Sequence, residues 1–166
     1  MWSEIVQEFQ DSPSQARVVK FLLENGFGVS SLGRITCNGI EVPATQVAKA
    51  LSTDRRVVDA TAQRILSLPL HRDIFTRIRA TPDLSQVAER LGLSVMVILP
   101  RDAREKGIVS AAVRVIAEEG LSIRQLFVTD PFLSEEPRLV IIIDGDFIPA
   151  VIEGIRRLPQ VRQVIL

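Results

Sequence analysis

The chain of 166 residues is poor in the side chains from which reactive centres are usually assembled. Its one cysteine, Cys37, excludes an intramolecular disulfide and any cysteine-based zinc cluster. Its one histidine, His71, leaves no histidine-pair metal site and no spare imidazole for a catalytic triad. Purely apolar runs last about five to seven residues, against the roughly 20 that a membrane span needs. The first ten residues are amphipathic and acidic, unlike a basic and apolar signal sequence. These absences predict a soluble, cytoplasmic, non-enzymatic protein with no metal, no cofactor and no membrane partner.

Net charge is also missing. Twenty Lys and Arg balance twenty Asp and Glu, so the whole chain reads neither as a nucleic-acid coat nor as an acidic tail. The distribution is uneven. From Pro43 to Ala80, seven basic residues (Lys49, Arg55, Arg56, Arg64, Arg72, Arg77, Arg79) face three acidic ones (Asp54, Asp59, Asp73), a local net of +4. A local basic field of this kind is what a nucleic-acid contact requires.

The first half reads as mainly helical. Trp2, Ile5, Val6 and Phe9 lie at helical spacing, with Glu4 and Glu8 facing away. Ser12-Pro13 is suited to start a second helix and Asn25-Gly26 to stop it. Arg34 to Val42 alternates around Asn38-Gly39, a strong hairpin signal.

Ala44 to Leu51 then predicts a short helix with Val47, Ala48 and Leu51 inward. Ser52-Thr53-Asp54 predicts a tight turn in which any of the three can cap the next helix. Arg55 to Leu66 predicts that longer helix, burying Val58, Ala62, Ile65 and Leu66. Short helix, tight turn and longer helix make up a helix-turn-helix arrangement, with Ser52 where many such motifs have glycine. In that arrangement Thr53, Arg55 and Arg56 lie nearest DNA base edges and phosphates, with Gln46 and Lys49 near the backbone. The plain alternative is a helical hairpin with a solvated arginine pair.

Linking helices are expected at Ile74–Ile78 and at Asp83–Leu91, the latter with Thr81 as cap, Pro82 at its first position and Gly92 after its end. Leu84 to Ser94 imitates the first half of a second helix-turn-helix, but an apolar strand, Val95 to Leu99, comes after it. The expected domains are therefore a helix-turn-helix-like, DNA-binding unit at 1–80, a linking helix at 81–92, and a second unit at 93–166.

The last stretch predicts strand, helix, strand, strand, helix, strand: Leu93–Leu99, Ile108–Glu119, Ser122–Val128, Leu139–Ile143, Pro149–Leu158 and Val161–Ile165. Right-handed crossovers turn that order into a ferredoxin-like sandwich, giving an α+β fold class for the whole chain. Strands one and three carry no aromatic side chains for RNA bases. This half has no cysteine for a metal carrier and no asparagine for an acylphosphatase-type loop.

Val95-Met96-Val97-Ile98-Leu99, the loop from Pro100 to Lys106, Gly107-Ile108-Val109 and Glu119-Gly120-Leu121-Ser122-Ile123 together resemble the ACT domain, a small-molecule-binding module of amino-acid metabolism. With the helical half in front, the chain is similar to archaeal predicted regulators of amino-acid metabolism that contain this domain. The resemblance implies a dimer of side-by-side sheets with an amino acid at the seam. Asp102, Arg104, Gly107 and Ile108 of one subunit would then face Ile123, Arg124 and Gln125 of the other. It implies a regulator acting on DNA, or a regulatory subunit that docks on a biosynthetic enzyme.

Overall fold

The computed structural model describes residues 2–131, 134 and 136–166, the side chains of residues 2 and 3 excepted. The inward position expected for Trp2 lies outside the described residues. The chain is mixed α and β and divides into two compact units, Met1–Pro82 and Asp83–Leu166.

Among the described residues, the first unit comprises five helices and a small sheet: α1 (Trp2–Gln7), α2 (Pro13–Asn25), β1 (Gly28–Val29), β2 (Ile35–Cys37), β3 (Ile40–Glu41), α3 (Ala44–Ala50), α4 (Arg55–Ser67) and α5 (Pro69–Phe75). Asn38 and Gly39 join β2 to β3 with φ of 50° and 88°. Both residues at positive φ match the twist of the strands they connect. β1 adds a third, antiparallel strand through Gly28 opposite Thr36 and Val29 opposite Ile35, a pairing too short to show in the residue pattern. Phe9, Val18, Val19, Leu22, Val58, Ile65 and Phe75 are all fully buried in one core.

The helix expected at Ile74–Ile78 is displaced. The structure has α5 at Pro69–Phe75, with Pro69 in its first turn, where a missing N–H and a fixed φ cost nothing. Leu68-Pro69-Leu70 is thus a helix start, and it buries His71 and Phe75, one turn apart. His71 Nε2 lies 3.3 Å from the Ile5 carbonyl and its ring meets Phe9 edge-on, so the one histidine is a packing residue.

The second unit runs β4 (Leu93–Pro100), α6 (Ile108–Glu118), β5 (Ile123–Val128), β6 (Leu139–Asp144), α7 (Pro149–Arg156) and β7 (Val161–Ile165). The four strands form one antiparallel sheet in the order β5-β6-β4-β7. Met96, Ile98, Leu139, Ile141 and Ile143 share a core with Ile108, Ala112 and Ile116 of α6 and Val151 and Ile155 of α7. Alternate positions on the strands face the other way, where Leu93 and Ile142 pack with Leu84 and Ala88.

Those last two residues belong to the segment expected as a helix over Asp83–Leu91. No α-helix forms there; the chain winds through turns into a single 3-10 turn at Glu89–Leu91. The first backbone donors are satisfied from outside, as at a helix start, and the departure comes after them. Asp83 Oδ1 accepts from the Ser85 N–H at 2.8 Å, and the Leu84 N–H donates to Gln125 Oε1 of β5 at 3.0 Å. The remaining bonds reach three residues back, Val87 to Leu84 and Arg90 to Val87, and the tighter winding sets Leu84 and Ala88 against the sheet.

Candidate functional site

The first candidate site is the joint between α3 and α4. The Ser52 N–H donates to the Lys49 carbonyl at 3.3 Å and the Thr53 N–H to the Ala48 carbonyl at 2.9 Å, closing the end of α3. This pair of bonds needs a left-handed residue between helix and exit, which is usually glycine. The same two bonds recur around Gly26, where Gly26 donates to Leu23 and Phe27 to Leu22. Ser52 takes the glycine's place in α3 at φ 49°.

Two residues later the chain enters α4. Asp54 has extended backbone angles, and its side chain accepts from the Arg56 N–H at 2.7 Å. Of the three candidate caps, Asp54 is the one used. Val47 and Ala48 on α3 and Val58, Ala62 and Ile65 on α4 are buried, while Leu51 and Leu66 are half-buried. The small Ala48 side chain allows close approach of the two helices.

The expected contact residues fall on the outside of this joint. Gln46, Lys49, Arg55 and Arg56 are exposed and Thr53 is half-buried. Among the described residues, no acidic side chain pairs with Lys49, Arg55 or Arg56. Arg64 differs: it donates to Asp11 at 2.8 and 3.1 Å, to Gln15 at 3.1 Å and to the Glu8 carbonyl at 2.6 Å. Its guanidinium also lies 4.7 Å from the centre of the Phe9 ring. It therefore clamps the N-terminal turn to α4, and its charge does not belong to the exposed basic surface. Sequence proximity to Arg55 and Arg56 disguises that role, since its partners lie some fifty positions away.

The second candidate site is the loop between β4 and α6. Asp102 and Arg104 are exposed and line a cleft of about 340 Å³, together with Arg162 and Glu136. Arg162 lies 3.7 Å from Glu136, a partnership that residue spacing gives no sign of. Asp102 Oδ1 accepts from the Arg104 N–H at 2.9 Å, which shapes the loop. Gly107, at φ 96°, turns the chain into α6. Ile108 is buried with its side chain in the core, so main-chain atoms are what it can present to a ligand.

Ile123, Arg124 and Gln125 lie at the opposite end of the sheet. Ile123 is level with Ile143, whereas Leu139, at the other end of β6, is level with both Val128 and Ile98. One chain therefore does not bring the two expected groups together. Ile123 packs against the helix-side core, Arg124 lies 3.7 Å from Asp144, and Gln125 holds Leu84.

Among the described residues there is no group of three or more His, Cys, Asp and Glu side chains placed to hold a metal ion. No helix among them is long and apolar enough to cross a membrane. No family model and no curated protein matches the chain.

Proposed function

We propose that the chain is an amino-acid-responsive regulator whose first unit binds DNA and whose second unit senses the effector. The observation that carries the DNA half is the α3–α4 joint, which leaves Arg55 and Arg56 exposed at the start of the second helix. A helix-turn-helix presents the N-terminal residues of its second helix to the major groove. Gln46 and Lys49 on α3 are then set for the phosphate backbone, and Thr53 for the groove edge.

The sensing half rests on the strand order and on the resemblance of Val95–Val109 and Glu119–Ile123 to the ACT domain, a ferredoxin-like module. In this reading two second units pair into a dimer. The Asp102, Arg104, Gly107 and Ile108 loop of one copy meets Ile123, Arg124 and Gln125 of the other around an amino acid. The far-end placement of the two groups within one chain suits an antiparallel pairing of copies. An effector that favours one spacing of the two DNA-binding heads shifts occupancy of half-sites set about 34–36 Å apart.

The test is a titration of the full chain with duplex DNA from the neighbourhood of its own gene, in rising salt. Binding that weakens steeply with salt supports the proposal; no binding, or salt-insensitive binding, sinks the DNA half.

A second reading is favoured by one observation: Leu32 and Ile40 of the first unit are 80% and 75% exposed. Exposed apolar side chains of that size suit docking on a biosynthetic enzyme, with the second unit conferring feedback control. Leu32→Ser with Ile40→Ser separates the readings, because it removes a protein partner and leaves the arginine pair intact.

A further inference from the structure

β4 is flanked unequally. β6 runs beside it from Leu93 to Ile98, whereas β7 meets it only from Val97 to Pro100. Among the described residues, no strand lies against the β7-side edge of β4 from Ser94 to Met96. An unpaired edge of this kind presents main-chain N–H and C=O groups that have no ladder partner.

Leu93, Ser94 and Val95 form one side of a cleft of about 450 Å³, inside the range of about 300–1,000 Å³ typical of small-molecule sites. Phe147 adds to its apolar lining, and Glu89, Arg90 and Asp146 bring charge to it. The Ser94 hydroxyl donates to Asp146 Oδ1 at 3.2 Å, which orients that carboxylate. Among the described residues, the side chains of Glu89 and Arg90 have neither a hydrogen bond nor an ion pair. They stand on the 3-10 turn that replaces the expected helix, and that turn is what brings them to the cleft.

We propose that this cleft binds a free α-amino acid with an aliphatic side chain. Arg90 is the partner for its carboxylate, since a guanidinium meets a carboxylate through two parallel bonds. Asp146 is the partner for its ammonium group. Leu93, Val95 and Phe147 cover the side chain, and the open edge of β4 supplies further fixed donors and acceptors. An anionic ligand such as a nucleotide is disfavoured, because the lining carries two carboxylates and one arginine. A pure hydrocarbon is disfavoured because it would desolvate three charged groups without pairing them.

The amino-acid class rests in part on reading the second unit as a sensor. The position does not: the cleft is at the opposite end of β4 from Asp102 and Gly107.

The experiment titrates the full chain with L-leucine, L-isoleucine and L-valine, and with 3-methylbutylamine and 3-methylbutanoate as half-ligands. Calorimetry gives affinity, and backbone amide NMR shifts give position. At least one of the three amino acids is expected to bind, with both half-ligands at least tenfold weaker and shifts centred on Ser85–Val95 and Asp146–Phe147. Arg90→Ala and Asp146→Asn are each expected to weaken binding at least tenfold, while Arg114→Ala, at an exposed position of α6, leaves it unchanged. Shifts confined to Asp102–Ile108, with sensitivity to Asp102→Asn, overturn this site and leave the seam reading standing. No binding by any of the three, or affinity that survives both cleft variants, overturns the proposal. Silence from all twenty amino acids removes the sensing half of the proposed function as well.

Discussion

The side-chain amide of Asn38 and the backbone of Ala80 bond reciprocally. Nδ2 donates to the Ala80 carbonyl and Oδ1 accepts from the Ala80 N–H, both at 3.0 Å. Asn38 thus does two things: its positive φ makes the β2–β3 turn, and its side chain fastens the end of the first unit to that turn. Asn38→Gly separates them, since glycine keeps the turn and loses the clasp. Loss of two exposed bonds is expected to lower stability by about 1–2 kcal/mol. Amide exchange is the sharper check: Ala80 should exchange faster in the variant while Val42, past the hairpin, stays protected. Unchanged exchange at Ala80 would show that the clasp is not formed in solution.

Arg64 and Arg55 make a matched pair for a second prediction. Both are arginines of α4, but Arg64 bonds to Asp11, Gln15 and the Glu8 carbonyl, while the Arg55 side chain is exposed. Arg64→Ala removes a charge-assisted cluster and a contact with the Phe9 ring. Its expected cost is about 1–2 kcal/mol, kept modest because the Asp11 carboxylate is well exposed to solvent. Arg55→Ala is expected to stay within about 0.5 kcal/mol, as for most surface substitutions. Urea unfolding of the two variants decides it, and equal costs would contradict the clamp.

Ser52 supports a prediction of opposite sign. Its φ of 49° is a conformation that glycine takes without a steric penalty and an L side chain adopts at a cost. Ser52→Gly relieves that cost but loosens the unfolded chain, so the net gain is expected to be small, about 0.5 kcal/mol. Ser52→Val adds a β-branched side chain to the same backbone and is expected to lose about 1–2 kcal/mol. A thermal melt in which valine equals or exceeds glycine would mean that the left-handed turn is not populated.

Legibility in the unfolded chain divides along a physical line. The Asn38-Gly39 hairpin, the Gly26 helix end and the apolar runs of β4 and β6 are decided within a few residues, so spacing and propensity suffice. The 83–91 segment has helical spacing too, with a proline and a C-terminal glycine in the right places. Its tighter winding goes with the packing of Leu84 and Ala88 against Ile142 of β6, a contact more than fifty positions distant that spacing does not record. Arg64 is misread as surface charge for the same reason, its partner Asp11 being 53 positions away. The cleft over Leu93–Val95 leaves no trace in the spacing because it depends on where β7 stops pairing with β4. At the α3–α4 joint, by contrast, the spacing locates both helices, and only the choice of Asp54 as cap has to come from the fold.

The last prediction concerns charge on that joint. If Arg55 and Arg56 each neutralise a DNA phosphate, each releases about one condensed counterion on binding. The slope of log affinity against log salt should then fall in magnitude by about 0.9 per residue removed, or by about 1.8 for Arg55→Ala with Arg56→Ala. An arginine reading a guanine edge behaves differently, since its loss weakens binding to one sequence more than to others. Each single variant is therefore measured on a bound duplex and on a scrambled one, across a salt series. A reduced slope with equal loss on both duplexes assigns that arginine to the backbone. A preferential loss on the bound duplex assigns it to a base. Arg64→Lys serves as the control, because its charge remains near Asp11 and it should leave the slope unchanged. Wild-type slopes in both arginine variants, with equal affinity on both duplexes, would remove α4 from the DNA contact and favour the protein-docking reading.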